Sequence, residues 1–136
     1  MSTSEHEAGV RRTIARYAHL YDDGDVDGWL DTFTKDAKFI AFGAVQDGRD
    51  AIAAAIPPSP DRPPAQHMTY NTAVEIDPDG ETARAWSDFV YLQRQGDALV
   101  PAHAGRYYDR LVREGDVWRF TERSVRMLGN PVPAGW

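Results

Sequence analysis

The chain contains no cysteine, which excludes disulfides, thiolate metal sites and a cysteine nucleophile together. It is short of basic residues, with 15 Lys and Arg against 21 Asp and Glu and a net charge of −6. Nucleic acid and anionic membranes both select a basic face, so neither is expected as a partner. No apolar run is long enough to span a bilayer. The opening Met1-Ser2-Thr3-Ser4-Glu5-His6-Glu7 lacks the basic and apolar regions of a signal peptide, so a cytoplasmic protein is expected. There is no glycine-rich phosphate loop and no metal motif, which suits chemistry that needs no cofactor.

What is present describes one domain over residues 1–136, with 42% hydrophobic and 11% aromatic residues. Residues 1–6 and 128–136 read as tails. Ser4 with Glu7 reads as a capping box, followed by an apolar stripe at Val10, Ile14, Tyr17, Ala18 and Tyr21 that predicts a first helix. Gly24 ends it, and Asp25 caps a second helix with Val26, Trp29, Leu30 and Phe33 on its apolar face. Lys38 to Phe42 reads as a short strand closed by Gly43, and a small helix begins at Asp50 with Ala51, Ile52, Ala55 and Ile56.

From Pro57 to Pro64 five of eight residues lack an amide donor, so residues 57–65 form a proline-rich surface loop. Four strand-like runs follow, His67 to Ile76, Thr82 to Arg94, Leu99 to Val112 and Val117 to Met127, separated by turn residues. Helices first and an antiparallel meander afterwards indicate an α+β fold, with helices against one face of a curved sheet. Alternation is imperfect. Trp86 and Phe89 fall on opposite parities, as do Phe120 and Val125, which bulges or two-sided burial would both produce.

The densest charge lies at Asp22-Asp23-Gly24-Asp25-Val26-Asp27-Gly28. Asp23-x-Asp25-x-Asp27-Gly28 matches the opening of a calcium loop, but its closing glutamate position falls on Thr34. These three acids are read instead as turning the chain and capping the second helix. Asp22 differs in phase, on the edge of the buried face beside Ala18 and Tyr21, where an acid must be paired or line a cavity. The chain offers four histidines. His6 is expected exposed in the first turn and His19 is off the stripe, whereas His67 and His103 lie in strand-like runs and could face inward. A buried Asp–His pair fixes the imidazole tautomer and raises its basicity, giving a general base near neutral pH.

The series Tyr21-Asp22, then Trp29-Leu30-Asp31-Thr32-Phe33-Thr34-Lys35-Asp36-Ala37, Gly48-Arg49, Gln66-His67, Gly105-Arg106-Tyr107-Tyr108-Asp109 and Val117-Trp118-Arg119-Phe120-Thr121-Glu122-Arg123 carries a resemblance. It resembles the SnoaL-like branch of the nuclear-transport-factor-2-like superfamily, over about Glu7 to Met127. The resemblance implies a cone-shaped, strongly curved antiparallel sheet packed around the N-terminal helices, with an internal apolar pocket. Scytalone dehydratase and hexachlorocyclohexane dehydrochlorinase are relatives with an Asp–His dyad. By that likeness Asp22 and His67 would be the dyad, and Arg123 would match the dehydrochlorinase's final-strand arginine. The dehydratase's second pocket histidine has His103 as its candidate here, and the dehydrochlorinase's pocket lysine is replaced around Tyr17.

The expected activity is therefore proton abstraction from carbon by His67, oriented by Asp22, with Arg123 or a tyrosine stabilising negative charge. Elimination, isomerisation or cyclisation would follow. Tyr17 and Tyr21 could present hydroxyls to the pocket or serve as core. Trp86 shares a parity with Asp88, so both could flank the pocket. Asn71 would share the face of His67 on a regular strand, and Tyr107 and His103 complete the candidate lining. Arg123 could equally pair with an acid on a neighbouring strand. The expected ligand is a small aromatic, polycyclic or terpenoid compound, and a homodimer is implied by the resemblance. The alternative is a non-catalytic ligand-binding or structural subunit, as the small subunits of ring-hydroxylating dioxygenases look similar. The tail from Leu128 to Trp136 is expected to cover the pocket mouth or the dimer seam, or to fray.

Overall fold

The computed structural model describes every residue from Met1 to Trp136. Helix α1 runs Thr3–Asp22. Its capping box lies earlier than the expected Ser4/Glu7 pair: the Ser2 side chain accepts from the Glu5 amide, and Glu5 accepts from the Ser2 amide. Most of the expected tail 1–6 is thus helix. His6, expected exposed, is only 8% exposed and lies edge-on to Trp118 at 5.6 Å. Gly9 allows this, because a Cβ there would stand 2.6 Å from the Trp118 ring. α1 ends at Asp23, Gly24 adopts a positive φ of 75°, and the Asp25 side chain caps α2 (Val26–Leu30) by accepting from the Gly28 amide at 2.9 Å.

α2 buries Trp29 alone, and Val26 is exposed. Phe33 does not continue that helix as expected, because Thr32 hands the chain to the sheet: its carbonyl accepts from the Phe120 amide at 2.8 Å. Strand β1 (Phe33–Ala41) is therefore longer than Lys38 to Phe42, and it turns at Phe42-Gly43 into β2 (Ala44–Asp47). Both turn residues have positive φ, 52° and 74°, as a tight two-residue hairpin requires. A phenylalanine in that conformation is unusual, which is why the hairpin was not legible as a turn signal. α3 (Arg49–Ala55) follows and buries Ile52.

The remaining strands are β3 (Ala65–Ile76), β4 (Thr82–Gln95), β5 (Ala98–Glu114) and β6 (Val117–Met127). They form the expected antiparallel meander, and β1 joins it alongside β6 in parallel, giving one open sheet ordered β2-β1-β6-β5-β4-β3. The fold is α+β, with the helices held against the inner face of this curved sheet. No helix is long and apolar enough to cross a membrane.

Both explanations for broken alternation operate, one at each place. On β6 an extra residue at Thr121 lets Phe120 and Arg123 face inward together. On β4 the inner face is Ala83, Ala85, Ser87 and Phe89, and Trp86 points to the outer face. There the C-terminal segment folds back over it: Trp136 packs on Trp86 and Tyr108, each at 5.6 Å, with the Arg110 guanidinium 4.4 Å from its ring centre. The tail covers the outer sheet face, not the pocket mouth.

Candidate active site

α1 delivers Asp22 at the end of its buried stripe, and β3 delivers His67 at the third residue of the strand. Asp22 spans the gap with both oxygens: Oδ1 lies 2.6 Å from His67 Nδ1, and Oδ2 accepts from the His67 backbone amide at 2.8 Å. A carboxylate only accepts, so Nδ1 carries a proton, and in the neutral ring the lone pair is on Nε2. Both side chains are mostly shielded, 13% and 14% exposed. The imidazole is held edge-on by Tyr21 at 5.1 Å and packs on Tyr91 at 4.5 Å. Position and tautomer are thus both set by neighbours.

His67 opens into a cavity of about 260 Å3 between α1, the segment from Ile56 to Arg62 and the inner sheet face. Its walls include Tyr17, Tyr21, Phe39, Phe42, Phe89, Tyr91, Tyr107 and His103, with Ile56, Val125 and Met127. This lies just below the usual range of ligand pockets, which starts at about 300 Å3. Tyr17 is the hub, in ring contact with Tyr21, Trp29, Phe33, His67, Tyr107 and Phe120. Burial pushes its phenol up to about 12, and burial together with Tyr17 pushes Tyr107 well above its ordinary value. Both hydroxyls therefore stay protonated at neutral pH.

Of the sequence candidates, His67, Tyr17, Tyr21, His103 and Tyr107 line the cavity and Asp22 stands directly behind His67. Arg123 does not reach it. Its guanidinium is fully buried, and two of its nitrogens bond the Asp109 carboxylate on β5 at 2.8 and 2.9 Å. The Tyr17 and Tyr107 rings cover it at 4.2 and 3.8 Å, so it lies beneath the cavity floor. Burial works against its charge, and Asp109 more than offsets this, keeping it above its ordinary value.

Trp86 and Asn71 lie outside. Trp86 faces the outer sheet surface, under Trp136. Asn71 sits at a bulge in β3, between the Tyr70–Asp88 and Ala73–Trp86 pairs, with a positive φ of 51°. The irregularity turns it away from the face of His67 to donate to Asp88 at 3.0 Å. Hydrogen bonds from Arg106 and Asn71 hold that carboxyl below its usual range. Asn tolerates this left-handed conformation, and a β-branched residue does not. Asn71→Val is expected to cost about 1–2 kcal/mol and Asn71→Gly little, measured by thermal unfolding.

Two of the wall residues that carry polar groups escaped the sequence reading. Tyr91 was findable, since it shares the parity of Ala83, Ala85 and Phe89. Arg62 was not, because nothing in a proline-rich loop signals where its side chain returns.

This is a curved α+β domain with one aromatic cavity and an Asp-held histidine in its wall. Residues 2–124 match the SnoaL-like domain family, and the chain belongs to it. No curated protein sequence matches it. Among solved structures it is similar to Aln2 from a Streptomyces species, at 25% identity and TM-score 0.83, covering 93% of this chain and 94% of that one. It is also similar to an NTF2-like protein with a cystatin-like fold from Novosphingobium aromaticivorans, at 24% identity and TM-score 0.81, covering 93% and 84%. A candidate scytalone dehydratase from Novosphingobium aromaticivorans aligns at 18% identity and TM-score 0.77, covering 89% and 83%.

Proposed function

We propose that this chain is an enzyme that removes a proton from carbon in a small hydrophobic substrate, with His67 as base and Asp22 as its orienter. One observation carries the reading: Asp22 uses one oxygen on the ring and the other on the backbone of the same histidine. That arrangement fixes which nitrogen is basic and where it points, as general-base catalysis requires. The electron pair left on carbon moves into an adjacent carbonyl or expels a leaving group, giving isomerisation, cyclisation or elimination. The base and its orienter are side chains of the chain itself, so the proton-transfer step uses no cofactor. Tyr21, Tyr17 and Tyr107 supply the hydroxyls around the cavity, and Arg123 acts through the two tyrosines it supports.

The aromatic walls favour a flat aromatic, polycyclic or terpenoid ligand. The outer face of β3 exposes Met68 and Tyr70, and we propose that a second copy covers this side.

The test is elimination from 5-nitrobenzisoxazole, a flat bicycle. Loss of its C3 proton, cleavage of the ring N–O bond and formation of a nitrile release a coloured phenolate. The protein is expected to exceed free imidazole at equal concentration, with a rate that depends on His67. A rate unchanged by His67→Ala, with the probe still bound, would favour a ligand-binding module.

A further inference from the structure

The geometry points to the Tyr21–Arg62 corner of the cavity as an oxyanion site, for substrates in which negative charge develops on a single enolate- or phenolate-type oxygen. The inference deepens the proton-abstraction reading and relies on it for the reaction, though not for the binding of the anion.

The charges facing the cavity give the first argument. Arg62 is the one Lys or Arg in the wall, and no Asp or Glu lines it. Asp22 is close, but both its oxygens are engaged by His67. A chain of net charge −6 thus encloses an apolar cavity whose only fixed charge is positive. Arg62 is exposed to solvent and makes no ion pair, so its charge is free to meet an anion that comes into direct contact with it.

Placement gives the second. Arg62 donates through one terminal nitrogen to the Tyr21 hydroxyl and through the other to the Pro57 carbonyl at 3.1 Å. The prolines stiffen the loop, and Arg62 ties its two ends, so the guanidinium is positioned before any ligand arrives. It also lies 5.2 Å from the Tyr21 ring centre. Its fork has further N–H groups beyond these two bonds.

Chemistry gives the third. A phenol that accepts from a cation becomes a better donor through its own O–H. Burial raises the Tyr21 pKa against the pull of Arg62, so the hydroxyl keeps its proton to donate. Tyr21 also stands 5.1 Å, ring to ring, from His67. A carbon acid with its C–H at His67 Nε2 would place the neighbouring carbonyl oxygen toward this corner. As the C–H pair moves onto that oxygen, Tyr21 and Arg62 meet the charge where it forms. Arg123 cannot do this, because it is below the floor and bonded to Asp109.

The test uses 4-nitrophenol, whose phenolate absorbs at longer wavelength than the phenol, titrated with the protein across neutral pH. The bound phenol is expected to ionise about 1–3 pH units lower than the free one, as an opposite charge in contact produces. Arg62→Gln should abolish the shift and Tyr21→Phe should reduce it. His67→Ala should retain it while losing proton abstraction. No shift in the wild-type protein, or an equal shift in Arg62→Gln, would overturn the inference. A shift lost only in His67→Ala would assign the anion to the imidazole and overturn it too, leaving the Asp22–His67 reading in place.

Discussion

Replacing His67 by alanine is expected to lower the rate of carbon-proton abstraction by about 10²–10⁴, the usual contribution of a positioned base. The more informative companion is Asp22→Asn, which keeps the shape of the side chain. An amide can donate to Nδ1, which would place the ring proton on Nε2 and leave no lone pair toward the cavity. The expected result is a loss approaching that of His67→Ala, with unfolding temperature nearly unchanged. A merely structural Asp22 would show the opposite pattern, a lower unfolding temperature and a normal rate. The 5-nitrobenzisoxazole assay with thermal unfolding of the same samples separates them.

The second large effect concerns stability. Asp109→Ala is expected to destabilise the fold by about 3–5 kcal/mol, because it leaves the Arg123 guanidinium buried and unpaired. In a chain of this size that corresponds to a fall in midpoint of roughly 10–20 °C. Asp109 and Arg123 are both essentially inaccessible, and burial alone pushes the Asp109 carboxyl up against the pull of Arg123. Water cannot replace the lost partner. Removing both charges, as Asp109→Leu with Arg123→Met, should recover much of the loss, since a buried pair gains little over apolar packing of similar volume. Urea unfolding followed by tryptophan fluorescence measures both. The single variant should also slacken the Tyr17 and Tyr107 rings that rest on Arg123.

The meander was legible because turn residues punctuate it, and Val117–Met127 is bounded as its flanking turns imply. β2 was hidden because its hairpin turns on Phe42, a residue that carries no turn signal. Asp22 was legible through its phase at the edge of the α1 stripe. His67 was singled out by the resemblance together with its place in a strand, and the geometry brings the two into contact. Parity arguments failed for two reasons: Asn71 sits at a bulge of β3, and Trp86, on a regular stretch of β4, is covered on the outer face by the returning C-terminal segment. Arg123 was singled out by likeness to a relative, and of its two readings the structure shows the pairing with an acid on a neighbouring strand, Asp109, whose identity local pattern does not reveal. The contact of Arg62 with Tyr21 spans 41 residues through a loop without periodicity, so no sequence rule reaches it.

The most direct test of the Asp22–His67 pair is the tautomer of the His67 ring, read by nitrogen-15 NMR above the titration range of the imidazole. The pairing predicts a protonated Nδ1 and an unprotonated Nε2, with the assignment reversed in Asp22→Asn. A proton on Nε2 in the wild-type protein would contradict it.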